Sequence, residues 1–397
     1  MAPLPDPSQD ASFDLAADFM QLISRYSHKL QTLALCRRMA GILPFDWQSL
    51  MELTRNEKPV LETVHLFGGL LFDEADAPTP VATLLAQSQS LRSVHLGSER
   101  LRDFLNLDVN WSSITELHIT SPIDDHDPAN IIPRIGTLCR SLTILHLEID
   151  FQPSANHFIN PVSLPNLRTL QLSLSRHGDG PDRMLYDSIQ ATLQCLEVPR
   201  LDCFALVTEV ETGYGMERDT VDIMPFHGLL ARCGSGITQL TIGGDFISGE
   251  PERLLHSLKL LPSLLSLHLK AMRIYHVSGM DYLSDARPLL SALAMQPTSC
   301  SLLEELEVDG CAPDHVDAII AFSAARPRLK VLSVDFGTIV KKDVQKMKSD
   351  RVLTTLANLR EVKGAHVDWT WKEGFTPVGF FDHPYAGLDG FFGTCFV

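Results

Sequence analysis

Two stretches of the sequence, LPNLRTLQL at 164–172 and LPSLLSLHL at 261–269, share the pattern apolar-x-x-apolar-x-apolar. The last two apolar residues of the pattern lie two positions apart, so in an extended strand both point to the same face. The first lies three positions earlier, where the chain enters the strand from a turn, and a proline ends the segment before it. Each stretch therefore predicts a short strand with one buried face.

This pattern occurs twelve times, with starts separated by 23 to 44 residues. A single copy means little, but a series at this spacing is typical of leucine-rich repeats. The copies are Leu30-Leu33-Leu35, Leu61-Val64-Leu66, Leu91-Val94-Leu96, Ile114-Leu117-Ile119, Leu142-Leu145-Leu147, Leu167-Leu170-Leu172, Leu193-Leu196-Val198, Ile237-Leu240-Ile242, Leu264-Leu267-Leu269, Leu303-Leu306-Val308, Leu329-Leu332-Val334 and a decayed copy at Leu359-Val362.

One such unit cannot bury its apolar face alone, whereas stacked neighbours bury it against each other. We therefore predict an α/β fold: a leucine-rich-repeat solenoid, or horseshoe, with parallel strands on the concave face and helices and loops on the convex face. Helix-start signals between the copies support this, because a capping residue or a proline opens each helix. The predicted helices begin near Pro80, Pro128, Pro251 and Pro313, and a fifth covers 341–356.

The predicted organisation has three parts. Residues 1–29 form an N-terminal helical cap, residues 30–367 form about twelve irregular repeats, and residues 368–397 form an aromatic C-terminal cap or tail. The longest gaps between copies, near 199–236 and 270–302, are predicted to be insertions that leave the solenoid as loops. An aromatic lid over the open end of the core is the favoured role of the C-terminal part, and a docking segment is the alternative.

The residue between the two strand leucines is expected to project from the concave face. The predicted binding column consists of His65, His95, His118, His146, Gln171, Glu197, Thr241, His268, Glu307 and Ser333. The flanking concave positions are Glu116, Glu148, Gln239, Lys270, Glu305, Asp309 and Asp335. Since the later copies carry more acidic than basic residues, the predicted ligand is a basic or polar protein segment whose association weakens as salt rises.

Four consecutive copies place a histidine in this column. Adjacent strands lie about 4.8 Å apart, so a ladder of four rings is predicted. One interpretation is that histidine is merely a tolerated, half-exposed strand residue. The other is a partner site that depends on pH between about 5.5 and 8, because stacked imidazoles repel each other when they gain protons. No metal site is predicted, since a flat ladder does not converge on a tetrahedral centre.

Composition disfavours several classes of function. Lys and Arg number 33 against 49 Asp and Glu, a formal net charge of −16, which argues against binding to nucleic acid or an anionic membrane. The N-terminal MAPLPDPSQD does not resemble a signal peptide, and no run of 18 apolar residues predicts a membrane span. The eight cysteines form no CxxC pair and fit reduced, buried thiols, so a cytoplasmic or nuclear protein is expected.

Motifs of catalysis are missing from the sequence. It contains no GxGxxG after a strand, no phosphate-binding loop ending in Lys-Ser/Thr, no HExxH and no GxSxG. We therefore predict no catalytic residue and no cofactor, and expect that the protein is not an enzyme. The enzymatic alternative is a site in the 199–236 segment, formed by Asp219, Asp222, His227 and Arg232.

The phrases SRYSHKLQTLAL (24–35) and SLRSVHL (90–96), with the two stretches quoted first, resemble the leucine-rich-repeat region of fungal F-box-like proteins. The resemblance spans about residues 20–367 and depends on the spacing of the repeats. It implies that the repeats hold a protein substrate for a cullin-type ubiquitin ligase. Because the first copy begins at Leu30 and leaves no room for three helices, we expect this sequence to lack the F-box that contacts the ligase adaptor in that family.

The predicted function is a protein-binding repeat module that holds a protein ligand on its concave face. The resemblance implies a role like that of a substrate receptor in ubiquitin ligation, with the ligase adaptor as a further partner. A regulatory scaffold or inhibitor without a link to a ligase is the alternative. Neither nucleic acid nor a membrane is an expected partner.

Overall fold

Twelve strands form one parallel sheet in which the strands follow each other in chain order. The computed structural model describes residues 31–36, 60–67, 80–97, 104–124, 128–151, 161–176, 182–210, 223–248, 251–270, 273–274, 282–283, 286–310, 315–339 and 366–373. The sheet contains β1 Thr32–Cys36, β2 Thr63–Phe67, β3 Ser93–Gly97, β4 Glu116–Asp124, β5 Ile144–Phe151, β7 Thr169–Arg176, β9 Cys203–Val210, β10 Gln239–Gly244, β11 Ser266–Lys270, β14 Glu305–Asp309, β15 Val331–Ile339 and β16 His366–Glu373. Two short pairs lie apart from it, β6 Val162–Ser163 with β8 Leu196–Glu197, and β12 Arg273–Ile274 with β13 Tyr282–Leu283.

Helices lie between many of these strands, as parallel neighbours require a crossover connection. The described helices are α1 Pro80–Gln87, α2 Pro128–Leu138, α3 Asp182–Cys195, α4 Met224–Cys233, α5 Asp245–Ser248, α6 Pro251–Leu258, α7 Arg287–Met295 and α8 Val316–Ala324. None of these helices is long and apolar enough to cross a bilayer. The predicted combination of helices with a parallel sheet is confirmed.

Equivalent residues of the predicted apolar pattern are partners across the sheet. Leu145, for example, is paired with Leu117 on one side and Leu170 on the other. Ten of the twelve predicted copies lie in the sheet in this way. The equal register is expected, because a slip of one residue would turn the apolar side chains to the opposite face.

One continuous apolar core joins the sheet to the helices. In α6, Leu254, Leu255 and Leu258 are all buried, and their spacing places them on one side of the helix that Pro251 begins. The strands contribute alternate residues, as the burial of β2 and β11 shows. The residues between them point to the opposite face of the sheet, which we call the polar face.

The copy predicted at Leu193-Leu196-Val198 is wrong as a strand of the large sheet. Leu193 lies in the last turn of α3, and Leu196 and Glu197 form β8, which pairs with β6. The place between β7 and β10 belongs to β9, whose buried residues include Phe204 and Leu206. Because α3 continues to Cys195, the first position of this copy is helical, and the strand of the large sheet forms later, as β9.

Both predicted insertions contain regular elements, so that prediction needs correction. The 199–236 segment supplies β9 to the sheet and α4 to the helical layer. The 270–302 segment contains the antiparallel pair β12–β13 followed by α7. Pro225 and Pro288, each in the first turn of its helix, are the start signals that the sequence offered for α4 and α7.

Four predicted helices, α1, α2, α6 and α8, begin at or near the predicted prolines. The N-terminal cap at 1–29, the helix at 341–356, the decayed copy at Leu359-Val362 and the tail after 373 lie outside the described residues. β16 pairs in parallel with β15, so the sheet extends through residue 373 rather than ending at 367. The start of the predicted C-terminal cap is therefore a strand of the sheet.

Two arginines bind main-chain carbonyls at the end of the preceding helix. Arg232 donates to Leu193 O at 2.7 Å and to Leu196 O at 3.2 Å. Arg326 donates to Leu293 O at 2.9 Å and to Gln296 O at 3.2 Å. Helix ends leave carbonyls without partners in the helix, so these guanidinium groups cap α3 and α7 and tie neighbouring units together.

Replacement of Arg232 by alanine is expected to lower the free energy of unfolding by about 1 kcal/mol, because Leu193 O and Leu196 O lose a charged donor. Chemical denaturation measures the change. Arg328→Ala, at an exposed position after α8, is the control and should stay within about 0.5 kcal/mol of the wild type. Equal losses in the two variants would contradict the capping role.

Candidate binding face of the sheet

The polar face presents one row of side chains across the sheet. Each member lies between two apolar residues of its strand and is the register partner of its neighbours. In order the described row is Ala34, His65, His95, His118, His146, Gln171, Ala205, Thr241, His268, Glu307 and Ser333, and Asp368 holds the same register position in β16. All predicted column residues except Glu197 lie in this row.

Glu197 does not belong to the polar face, and Ala205 takes its place. Glu197 lies in β8, outside the large sheet, whereas Ala205 in β9 pairs with Gln171 and Thr241. The sequence carried a signal for the correct strand, since Leu201-Phe204-Leu206 fits the same pattern eight residues after Leu193. The correction removes one acidic group from the middle of the row.

The four histidines of β2 to β5 form the predicted ladder, which we call the histidine ladder. The ring centroids of His65 and His95 lie 4.2 Å apart, and those of His95 and His118 lie 4.0 Å apart with an angle of 6° between the rings. His118 and His146 meet edge to face at 5.6 Å. The parallel register of the four strands places the rings next to one another, and the side-chain rotamers bring them into contact.

Hydrogen bonding differs along the histidine ladder. Ser93 Oγ, two residues earlier on β3, lies 3.2 Å from His95 Nε2 and orients that ring. His146 Nε2 is buried and has no hydrogen-bond partner among the described residues. A buried imidazole nitrogen without a hydrogen-bond partner costs free energy. The histidine ladder is therefore a candidate binding site for a ligand that would supply that partner.

The environment lowers the pKa of all four ladder histidines below the ordinary value of 6.5, chiefly through burial. Burial, followed by the neighbouring imidazoles, lowers the pKa of His95 to about 3. Burial, then His118 and Lys270, lowers that of His146 to about 4. The predicted pH response of partner binding between 5.5 and 8 is therefore not supported for these two rings, which stay neutral over that range.

The fifth column histidine, His268 in β11, has acidic neighbours instead. His268 Nε2 donates to Asp309 Oδ2 at 2.7 Å, and Nδ1 lies 3.7 Å from Glu307 Oε2. Both carboxylates lie on β14, the next strand of the sheet. The hydrogen bond holds Asp309 in place on the polar face.

Acidic residues concentrate on the polar face of the later strands. We call Glu305, Glu307, Asp309 and Asp335 the acidic patch. Glu305 and Glu307 are exposed, and the other two are half-buried. The other predicted flanking residues also lie on this face: Glu116 on β4, exposed Glu148 on β5, exposed Gln239 on β10 and half-buried Lys270 on β11. The face thus carries single charged residues beside the histidine ladder and a cluster of four carboxylates at the acidic patch.

The residues of the enzymatic alternative are engaged in the helical layer. His227 Nδ1 lies 3.2 Å from Ser257 Oγ, and Arg232 binds carbonyls of the preceding segment. Asp219 and Asp222 lie outside the described residues. Cys139 and Cys300 are free thiols, and burial raises the pKa of Cys139 to about 12 and that of Cys300 to about 11, which keeps both unreactive.

Two groups on the polar face have ligand atoms close enough to hold a metal ion. One is His95, Glu116 and His118, and the other is His268, Glu307 and Asp309. In each group the ligand atoms lie within 4.8 Å of one another. The prediction of no metal site considered the ladder alone, whereas the register also brings carboxylates beside the rings.

No protein-family model matches the chain, and no curated protein matches it. Among solved structures, the chain is similar to a crystal structure of a structural genomics target from Bacteroides fragilis. The two sequences are 12% identical, the match covers 94% of this chain and 86% of the other, and the TM-score is 0.38. A likeness this weak transfers neither a fold nor a function.

Proposed function

We propose that the protein is a leucine-rich-repeat solenoid that binds a basic or polar protein segment along the polar face of its sheet. In this proposal the sheet lines the concave side of a horseshoe and the helices form its convex side. Support comes from the equal register of the apolar pattern, the helices between strands and the shared core. The protein acts by binding and not by catalysis.

The acidic patch is the observation that supports a basic or polar protein segment as the ligand. Glu305 and Glu307 expose their carboxylates on one strand, and Asp309 and Asp335 extend the negative surface. The patch belongs to a chain with a formal net charge of −16, so repulsion among its own groups falls when a cationic segment binds. Complementary charge gives such a complex its specificity and speeds its association.

Within this proposal the module serves as a receptor for substrates of ubiquitin ligation in the cytoplasm or nucleus, as the resemblance to fungal F-box-like proteins implies. Affinity purification of the tagged chain from eukaryotic cells tests that role. Recovery of a cullin and its adaptor supports it. Recovery of a bound protein without them overturns the ligase role and leaves a regulatory scaffold or inhibitor.

Reversal of charge in the acidic patch is expected to weaken binding of a lysine- and arginine-rich peptide about tenfold or more, because two attractive carboxylates become repulsive cations. The variant is Glu305→Lys with Glu307→Lys, and fluorescence anisotropy of the labelled peptide measures the affinity. We also expect the wild-type affinity to fall as sodium chloride is raised.

The matched control is Glu197→Lys with Glu252→Lys. Both residues are exposed and lie outside the polar face, on β8 and α6, and the pair changes the net charge by the same amount. A glutamate-rich peptide of equal length controls for the probe. Equal weakening in the two double variants, or equal binding of the two peptides, would show that the acidic patch does not bind the segment.

A further inference from the structure

We infer that His95, Glu116 and His118 form a site for a divalent first-row transition-metal ion of the Zn²⁺ type. The site lies on the histidine ladder at β3 and β4, away from the acidic patch, so it goes beyond the proposed protein-binding function. Two imidazoles and a carboxylate are a ligand set that zinc uses in proteins. All three side chains are half-buried, and their ligand atoms lie within 4.8 Å of one another.

Sheet register explains why the three side chains meet. His95 and His118 are partners across β3 and β4, and Glu116 precedes His118 by two residues on the same face. The His95 and His118 rings are stacked at 4.0 Å and nearly parallel, so their edges lie side by side. The Glu116 carboxylate lies beside the stacked rings. An ion at this place therefore has an oxygen ligand as well as two nitrogen ligands, which a row of rings alone does not offer.

The distances require only a small adjustment for binding. Zinc lies about 2.0–2.2 Å from nitrogen and oxygen ligands, so neighbouring ligand atoms of a tetrahedral site are about 3.3 Å apart. Binding requires the Glu116 side chain to rotate and the two stacked rings to tilt, so that separations of up to 4.8 Å shorten to that value. The rings need no proton removed at neutral pH, because metal binding requires neutral imidazole and burial disfavours the charged form.

Neighbouring residues complete the surroundings of the site. Ser93 Oγ engages His95 Nε2 at 3.2 Å, an outer contact of the kind that orients metal-binding imidazoles. His65 stacks on the far side of His95, and His146 meets His118 edge to face. The buried Nε2 of His146 has no partner in the described part of the chain, but His146 is not among the residues whose ligand atoms lie within 4.8 Å of one another.

The second group, His268 with Glu307 and Asp309, is the weaker candidate for the same ion. It offers one imidazole, and that imidazole already donates to Asp309 at 2.7 Å. Nitrogen-rich sites favour zinc, copper and nickel, whereas oxygen-rich sites suit magnesium and calcium. The two-imidazole group therefore takes the transition metal.

Zinc titration of the chelator-treated full chain tests the inference. With a chromophoric chelator as competitor, we expect one zinc ion bound per chain in the micromolar range or tighter. His95→Gln with His118→Gln should weaken that binding about 100-fold or more, and Glu116→Gln about tenfold, since each removes a direct ligand. Magnesium chloride should not displace the zinc.

The matched control is His227→Gln with His256→Gln. These histidines also form a stacked pair, 5.2 Å apart, but between α4 and α6. Zinc affinity should be retained in that variant and in His268→Gln, and circular dichroism checks that all variants fold. Absence of zinc binding to the wild type, or an equal loss in the His227/His256 variant, overturns the site. Peptide binding at the acidic patch is measured separately, so failure of either proposal is distinguishable from failure of the other.

Discussion

Replacing Phe204 with alanine is expected to lower the free energy of unfolding by about 3–5 kcal/mol, the largest single effect that we predict for this chain. Phe204 is 2% exposed in the middle of the sheet, with Leu170 and Leu240 as its register partners. Its ring lies 6.0 Å from that of Phe226 in α4, which in turn lies 6.1 Å from that of Phe246. Truncation leaves a cavity between sheet and helices that neighbouring aromatic rings cannot fill by small movements.

Urea denaturation of the full chain measures this effect. Glu197→Ala is the control because Glu197 is exposed on β8, and its change should stay within about 0.5 kcal/mol. A loss below about 1 kcal/mol for Phe204→Ala would mean that β9 does not occupy its place in the sheet. The experiment thus tests the position of β9, the strand that the sequence pattern predicted too early, at Leu193-Leu196-Val198.

Acidification is expected to destabilise the wild type relative to a variant with glutamine at all four ladder positions, His65, His95, His118 and His146. The pKa of His146 falls from 6.5 in the unfolded chain to about 4 in the folded one. The unfolded state therefore binds more protons below pH 6.5, and stability is lost as the pH falls from 6.5 towards 4. For His146 alone this loss is about 3 kcal/mol by pH 4.

His95 adds to this loss, with a pKa lowered to about 3, but its ring is partly exposed and its contribution is smaller than that shift implies. Burial lowers the pKa of His118 although the Glu116 carboxylate partly opposes this, and Lys270 adds to the lowering of the pKa of His146 by burial and by His118. Above about pH 7.5 the ladder is essentially neutral in both states and contributes little pH dependence.

Denaturation in the presence of a chelator at several pH values between 4 and 7.5 measures the difference between the two proteins. Acidic residues elsewhere affect both proteins alike, so only the difference reports on the ladder. Gln171→Asn, the next position of the row, is a control whose difference from the wild type should not change with pH. A difference between wild type and the glutamine variant that is constant from pH 7.5 to 4 would contradict the low pKa values.

The sequence predicted the strands well because one spacing rule governs most of them. Leu145, Leu170 and Leu267 all fall two residues before the second buried position of their strand, and each lies in the sheet as expected. Pro128 and Pro251 predicted helix starts because proline favours the first position of a helix, which is also a local property of the chain. The rule failed at Leu193, where a helix of 14 residues continued through the first position of the pattern.

The candidate site was predictable as a row but not as a set of contacts. Strand alternation and parallel register predict that His95 and His118 lie side by side, and they are register partners in the structure. Their stacking, the position of Glu116 beside them and the bond from His268 to Asp309 depend on side-chain rotamers and on neighbouring strands. No sequence motif indicates these contacts, since partners on different strands are 23 to 41 residues apart in the chain.

By itself the sequence determined the face that each strand buries, because alternation along an extended chain is a local property. It also determined that the polar face becomes acidic toward its C-terminal strands. Only the tertiary structure decided which of two successive patterns, Leu193-Leu196-Val198 or Leu201-Phe204-Leu206, entered the large sheet. It likewise decided how strongly burial suppresses protonation of the ladder, since desolvation depends on everything that packs around a ring.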